Sequence, residues 1–211
     1  MSTTPTPRYR SVAILLHWLI AAAIIAMIPL GWWMTSHVTD PAYVEQSFKA
    51  YQLHKSVGLT ILVLSVLRLL WRLTHRPPAL PTGMPGWERA AARVTHVLFY
   101  LIMIAMPLTG WLYVSTGWNT LINAPFEVPT LWFGLFEWPH LPGLAEASEA
   151  FRAWAAETSM TAHSILAVST VGLLGLHIAA ALKHHFVDRD FVLAGMLPLI
   201  SPRAAQMESS E

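Results

Sequence analysis

An all-α integral membrane protein is the fold class this sequence predicts: a four-helix bundle with both termini in the cytoplasm and a long periplasmic loop between helices 3 and 4. Three observations predict it. Of the 211 residues, 55% are hydrophobic and only 12% charged. The apolar residues are gathered into uninterrupted stretches rather than spread over amphipathic elements, and each stretch reaches the ~20 residues needed to cross a hydrocarbon core. The basic residues, finally, fall almost entirely on one side of those stretches.

The first span covers about residues 11–34, inside a charge-free run from Arg10 to Asp40. Arg8 and Arg10 before it resemble the start of a secretory signal. The run is too long for one, and its far end, Gly31-Trp32-Trp33-Met34, offers an aromatic interface anchor where a small-residue cleavage site would stand, so the segment is expected to be retained. The second span, about 51–72, holds only Lys55 and Arg68, both near its ends, where long basic side chains snorkel to the headgroups. The third, about 90–114, lies in the charge-free run from Arg93 to Glu127, and the fourth, about 158–183, in the run from Glu157 to Lys183. Residues 191–200 are apolar but too few to cross, and Pro198 interrupts them, so they read as an interfacial stretch. The whole chain, 1–211, is taken as one membrane domain.

With four spans, the N-terminus, the 73–89 connection and the C-terminus share a side. That side holds Arg8, Arg10, Arg68, Arg72, Arg76, Arg89, Arg93, Lys183, Arg189 and Arg203, ten of the thirteen basic residues, against Lys49, Lys55 and Arg152 opposite. Basic loops stay in the cytoplasm, which orients the chain. The opposite side carries seven carboxylates, Asp40, Glu45, Glu127, Glu137, Glu146, Glu149 and Glu157, and is net acidic. Its long loop, about 115–157, is dense in Trp and Pro around Leu131-Trp132-Phe133-Gly134-Leu135-Phe136-Glu137-Trp138-Pro139. A polar linker would not carry that much aromatic surface, and the loop reads as a flap on the membrane interface and over the end of the bundle.

Four histidines, His17, His54, His163 and His177, sit alone in the apolar spans. His163 and His177 are fourteen residues apart on one helix, about 21 Å along its axis but turned only about 40° from each other. His17 and His177 lie at matching depths near the cytoplasmic face, and His54 and His163 at matching depths near the other. Imidazoles in hydrocarbon ordinarily face the bundle interior and pair with something. A copper or zinc site would want three or four close ligands, and carboxylates and thiols are missing at these depths. Two nitrogens, one on each face of an iron porphyrin, need no more than is present, so the spacing predicts two haems, ligated by His17 with His177 and by His54 with His163. The sequence has no cysteine, which excludes disulfides, iron–sulfur clusters and thioether-linked haem, so both would be non-covalent haem b. Gly58, one turn after His54, and Thr170, midway between His163 and His177, would let a flat macrocycle approach the backbone. Lys55, Arg68 and Arg72, with Arg93 and Lys183, are placed to meet haem propionates.

The segments Arg8-Tyr9-Arg10-Ser11-Val12-Ala13-Ile14-Leu15-Leu16-His17-Trp18-Leu19, His54-Lys55-Ser56-Val57-Gly58, Val66-Leu67-Arg68-Leu69-Leu70-Trp71-Arg72-Leu73 and Gly175-Leu176-His177-Ile178-Ala179-Ala180-Ala181-Leu182-Lys183-His184-His185 resemble bacterial cytochrome b561, a family grouped with the cytochrome b subunits of nickel–iron hydrogenases and formate dehydrogenases. The resemblance implies an inner-membrane four-helix bundle with two b haems on the residues standing here at His17, His54, His163 and His177. It also implies electron exchange with quinone, ubiquinone being the expected substrate. Some members are similar to superoxide:ubiquinone oxidoreductases. An anion such as superoxide is steered by basic surface, whereas this periplasmic face is net acidic, with Arg152 the one Arg of its long loop.

Bis-histidine ligation leaves no open iron position, so such haems relay electrons instead of binding small molecules. Quinone reduction needs protons, and an interfacial His near a haem is the natural donor. His184, two turns beyond His177 on nearly the same face, is the first candidate, followed by His96 and then His185; His37, His75 and His140 read as solvated or headgroup-contacting. The expected partners are lipid, quinone and either superoxide or a periplasmic redox protein; association into a homodimer is left open and nucleic acid is not expected. A competing reading makes the same diheme bundle the membrane anchor subunit of a periplasmic redox enzyme. A third, a His-dependent ion or metal transporter, would carry no haem.

Overall fold

The computed structural model describes residues 8–198, and Arg203, Ser201 and the last two residues of the 191–200 stretch fall outside them. Four long helices dominate: α1 (Ser11–His37), α2 (Val44–Thr74), α3 (Gly86–Ser115) and α4 (Glu149–Phe186). All four are long and apolar enough to cross a membrane. Each runs past its most apolar stretch. At about 1.5 Å per residue the 38 residues of α4 extend some 57 Å, well beyond a ~30 Å hydrocarbon core, so its first turns, with Glu149, Arg152 and Glu157, project into the flap.

Local chemistry sets the ends. Ser148 caps α4 by accepting from the Phe151 N–H, and Lys183, His184 and His185 meet the negative end of its dipole. Between α1 and α2, Asp40 Oδ1 accepts from the Ala42 N–H at 2.9 Å and turns the chain in a few residues. Between α2 and α3, Pro77, Pro78, Pro81 and Pro85 forbid helix, and Arg89 reaches back to the Thr82 carbonyl at 2.6 Å.

The helices pack in sequence, α1 on α2, α2 on α3 and α3 on α4, with no comparable α1–α4 packing among the described residues. Burial is inverted relative to a water-soluble bundle. The innermost residues are largely small hydroxylic ones, Ser56, Ser65, Ser115, Ser159 and Thr170, while Leu15, Leu101, Ile165 and Leu176 face outward. Small residues bring backbones together where lipid offers no hydrophobic drive, and all of these hydroxyls but that of Ser65 donate to the preceding turn, as for Ser159 to Ala155 and Thr170 to Leu166, both at 2.7 Å.

The chain is not helical throughout. The α3–α4 connection folds into two small antiparallel hairpins, β1 (Trp118–Asn119) with β2 (Ala124–Pro125) and β3 (Thr130–Trp132) with β4 (Phe136–Trp138). The second turns over Phe133, Gly134 and Leu135, the first two at positive φ (48° and 73°), and its turn closes with Leu135 N–H to Trp132 O at 2.9 Å. Arg152 anchors the start of the connection: nearly buried, it donates to Thr116 O at 2.7 Å and Gly117 O at 2.6 Å, with Glu127 at 3.6 Å. At the opposite end, called here the terminal side, residues after α4 form a 3₁₀ turn (Ala194–Met196) that clasps α1. Tyr9 N–H donates to Gly195 O, Trp18 Nε1 to Met196 O at 2.8 Å and Arg8 to the Leu197 carbonyl.

Candidate functional site

Two imidazole pairs stand inside the bundle. On the terminal side, His17 of α1 and His177 of α4 have ring centres 6.2 Å apart with planes at 68°. On the flap side, His54 of α2 and His163 of α4 are 6.1 Å apart at 63°. The spacing along α4 puts the pairs about 21 Å apart along the axis of that helix. An imidazole nitrogen about 2.0 Å from a metal and about 1.1 Å from its own ring centre gives facing rings about 6.2 Å from centre to centre. Both pairs have that separation.

The flap-side pair is held firmly. His163 Nδ1 lies 3.0 Å from the Met106 carbonyl and 3.1 Å from Thr109 Oγ1. A carbonyl only accepts, so Nδ1 carries the proton and Nε2 keeps its lone pair for a ligand, the arrangement by which an outer hydrogen bond fixes a metal-binding histidine. Gly110 makes room for this ring: a Cβ there would come within 3.3 Å of His163 Cε1. His54 lies beside Gly31, and its Nδ1 is buried with no hydrogen-bond partner in the protein.

The terminal-side pair has different company. His96 of α3 brings a third ring to 6.1 Å from His177, and Phe99 packs edge-on at 5.2 Å. Arg68 lies within electrostatic range of His17, His96 and His177, and its Nη1 is buried without a protein partner. Arg72 follows one turn later, in range of His96. A half-buried guanidinium with an unpartnered Nη1, beside facing imidazoles, is a fitting complement for a carboxylate-bearing macrocycle.

Lys55, the third propionate candidate, is engaged elsewhere: its Nζ donates to Pro129 O at 2.9 Å, which ties it to the flap. Gly58 faces Met27 of α1, and Thr170 is buried midway along α4. His184 Nδ1 is 2.7 Å from Asp190 Oδ2 and 3.2 Å from Asp188 Oδ2. Lys183 bridges Asp188 and Glu88 beside it. His185 is exposed against Phe186, whereas His37 stacks on Trp33 and His75 on Trp71. His140 lies in the flap, 3.1 Å from Thr130 Oγ1; burial, then the nearby Lys55 charge, lowers its pKa. Sequence reasoning had no hold on Gly110 or the Met106 carbonyl, because both act across α3 on a side chain of α4. The depth of His96, six residues inside the third span, was the available sign that it meets His177.

A model of the family described as prokaryotic cytochrome b561 matches residues 8–199. "Cytochrome b561 homolog 2" of Escherichia coli (strain K12) is 38% identical over 199 residues, 93% of this chain and 95% of that protein. "Probable superoxide oxidase CybB" of Yersinia pestis is 29% identical over 90% of this chain and 96% of its own length. "Cytochrome b562" of Cereibacter sphaeroides is 28% identical over 92% and 98%.

Proposed function

The chain belongs to the prokaryotic cytochrome b561 family and is a bacterial membrane cytochrome of b type that transfers electrons, and from that premise we propose that it carries them across the inner membrane between a periplasmic donor and ubiquinone. In this reading the terminal side is cytoplasmic and the flap side periplasmic, as the distribution of Lys and Arg favours. Two haems b are held, one by His17 with His177 and one by His54 with His163. The observation that carries the proposal is the pair of 6.1–6.2 Å imidazole separations, stacked about 21 Å apart along one helix.

When bound, haem supplies a one-electron couple that relays charge. The protein's part is to hold it and to manage protons. Met106 and Thr109 orient His163 with Nε2 bare, and the bundle keeps water from His54. Arg68, with Arg72 behind it, offers the charge to neutralise propionates on the terminal side. His184 is assigned the proton transfer to quinone: Asp190 fixes its Nδ1–H, leaving Nε2 to hold a proton at the membrane border. His96, beside His177, is the second candidate for that contact.

One observation favours a second source of electrons over superoxide. The acidic balance of the flap side suits a docked basic redox protein better than a small anion, as the anchor-subunit reading requires. The test of the main proposal is an absorption spectrum with a pyridine haemochrome assay on the purified chain, expected to give two b haems per polypeptide. Reduction of those haems by a superoxide-generating system, followed by ubiquinone reduction, separates free catalysis from subunit behaviour. A colourless protein from haem-replete cells refutes the proposal.

A further inference from the structure

We propose that the β3–β4 hairpin is embedded in the bilayer: its tip, residues 132–136, sits among the acyl chains of the flap-side leaflet, on the outer face of α2. The hairpin's attachments set its position. Gln52 Nε2 and Lys55 Nζ donate to Pro129 O at 3.0 and 2.9 Å, Leu131 N–H donates to Gln52 Oε1 at 3.3 Å, and Phe133 N–H donates to Ser56 Oγ at 2.9 Å. Trp132 Nε1 then donates to Thr60 Oγ1 at 3.2 Å. Gln52, Ser56 and Thr60 are successive turns of one helix, so the contacts of β3 extend about 12 Å along α2 as it runs toward its turn, the last of them through the Trp132 indole.

Facing and depth both follow from that line. At 100° per residue, Gln52, Ser56 and Thr60 stand about 160°, 200° and 240° around α2 from His54. His54 points inward to His163, so the hairpin lies on the side of α2 turned away from the bundle interior. A core of ~20 residues counted back from Arg72 begins at Gln52, which puts Thr60 and the tip well below the headgroups.

Backbone at such a depth survives only if its polar groups are satisfied. The register pairs Thr130 with Trp138 and Trp132 with Phe136, so the other edge of β3, at Leu131 and Phe133, would be bare. Gln52 and Ser56 fill that edge: Ser56 Oγ is also 3.1 Å from Leu131 O. This accounts for three polar residues in register on an apolar span. The tip itself carries no charge, and Phe133 (47% exposed), Leu135 (74%) and Phe136 (49%) leave apolar surface uncovered by the protein, the Phe136 ring resting on Trp132 along one side. Glu137 stands opposite Leu131 in the register, one residue behind the tip. Phe133 holds a left-handed φ of 48°, uncommon for a bulky residue, which the Ser56 bond maintains and which turns its ring outward.

The sequence contains no cysteine, so a single one can be placed at will. Leu135→Cys in the full chain, nitroxide-labelled in phosphatidylcholine/phosphatidylglycerol nanodiscs, is compared with Glu146→Cys in the flap and Val63→Cys on the outer face of α2. The expected result is a ratio of oxygen to nickel-chelate accessibility at 135 that matches 63 and exceeds 146 several-fold. Phe136→Cys repeats the measurement should labelling at 135 disturb the turn. A ratio like that at 146 places the tip in water and overturns the proposal. Low access to both agents with dipolar broadening between labels, the sign of a second copy of the chain seated there, overturns it equally.

Discussion

The two imidazole pairs have the same separation and opposite surroundings. The flap-side pair is enclosed by backbone: Met106 O fixes the proton of His163, and Gly31 and Gly110 close in on the two rings. The terminal-side pair is enclosed by side chains that carry or exchange protons, with His96 beside His177, Arg68 in range and His184 two turns on. One helix thus presents two imidazoles to two environments, one insulated and fixed, the other polar and adjustable. The difference bears on the proposed route of protons: His96 and His184 stand near the terminal-side pair, whereas His163 on the flap side is met by the Met106 carbonyl and Thr109.

The sharpest way to break this comparison is to delete one ring at a time. His17→Ala or His177→Ala should halve the haem content and leave the flap-side spectrum unchanged, while His54→Ala or His163→Ala should do the reverse. Loss of both haems, or of neither, in a pyridine haemochrome assay would refute the pairing. Gly110→Val comes next. Even a single Cβ approaches His163 Cε1 to 3.3 Å, so the branched side chain should displace the ring and lose or distort the flap-side haem, seen by electron paramagnetic resonance. Gly31→Ala, with 3.6 Å of clearance from His54, should leave both signals intact.

Charge gives a smaller effect. Ferric haem carries one more positive charge than ferrous, so a nearby cation favours reduction; Arg68→Gln should lower the terminal-side potential by on the order of tens of mV in a redox titration. The flap-side potential should barely move. The smallest effect is in pH. Burial and Lys55 depress the pKa of His140, so its neutral form is favoured in the fold; that stability is present above pH ~6.5 and lost as pH falls through the depressed value. Melting curves from pH 8 to 5 should show a fall that His140→Gln removes.

The pairs were legible in the sequence because helices are periodic: a fourteen-residue spacing on α4 and equal depths on α1 and α2 fix which rings can meet. Four spans and the family were legible for the same reason, long apolar runs with recognisable segments in register. The hairpins were not. Residues 115–157 follow no period, so the loop read as a flap over the bundle end, whereas its second hairpin runs down the side of α2. Gln52, Ser56 and Thr60 were the trace it left, a polar line at four-residue intervals that only the folded loop explains. Lys55 shows the same limit: only the folded loop reveals that Pro129 O accepts from it.

The clasp between the 3₁₀ turn and α1 has a practical side. Trp18, the neighbour of His17, is tethered through its indole to Met196 O, and Arg8 grips the next carbonyls. Any pull on the tail, from a fused reporter, a purification handle or a trimming protease, is therefore delivered one residue from His17. Handles attached directly behind Pro198 should be spaced by a flexible linker, and the colour of the preparation is the gauge of whether the spacing suffices.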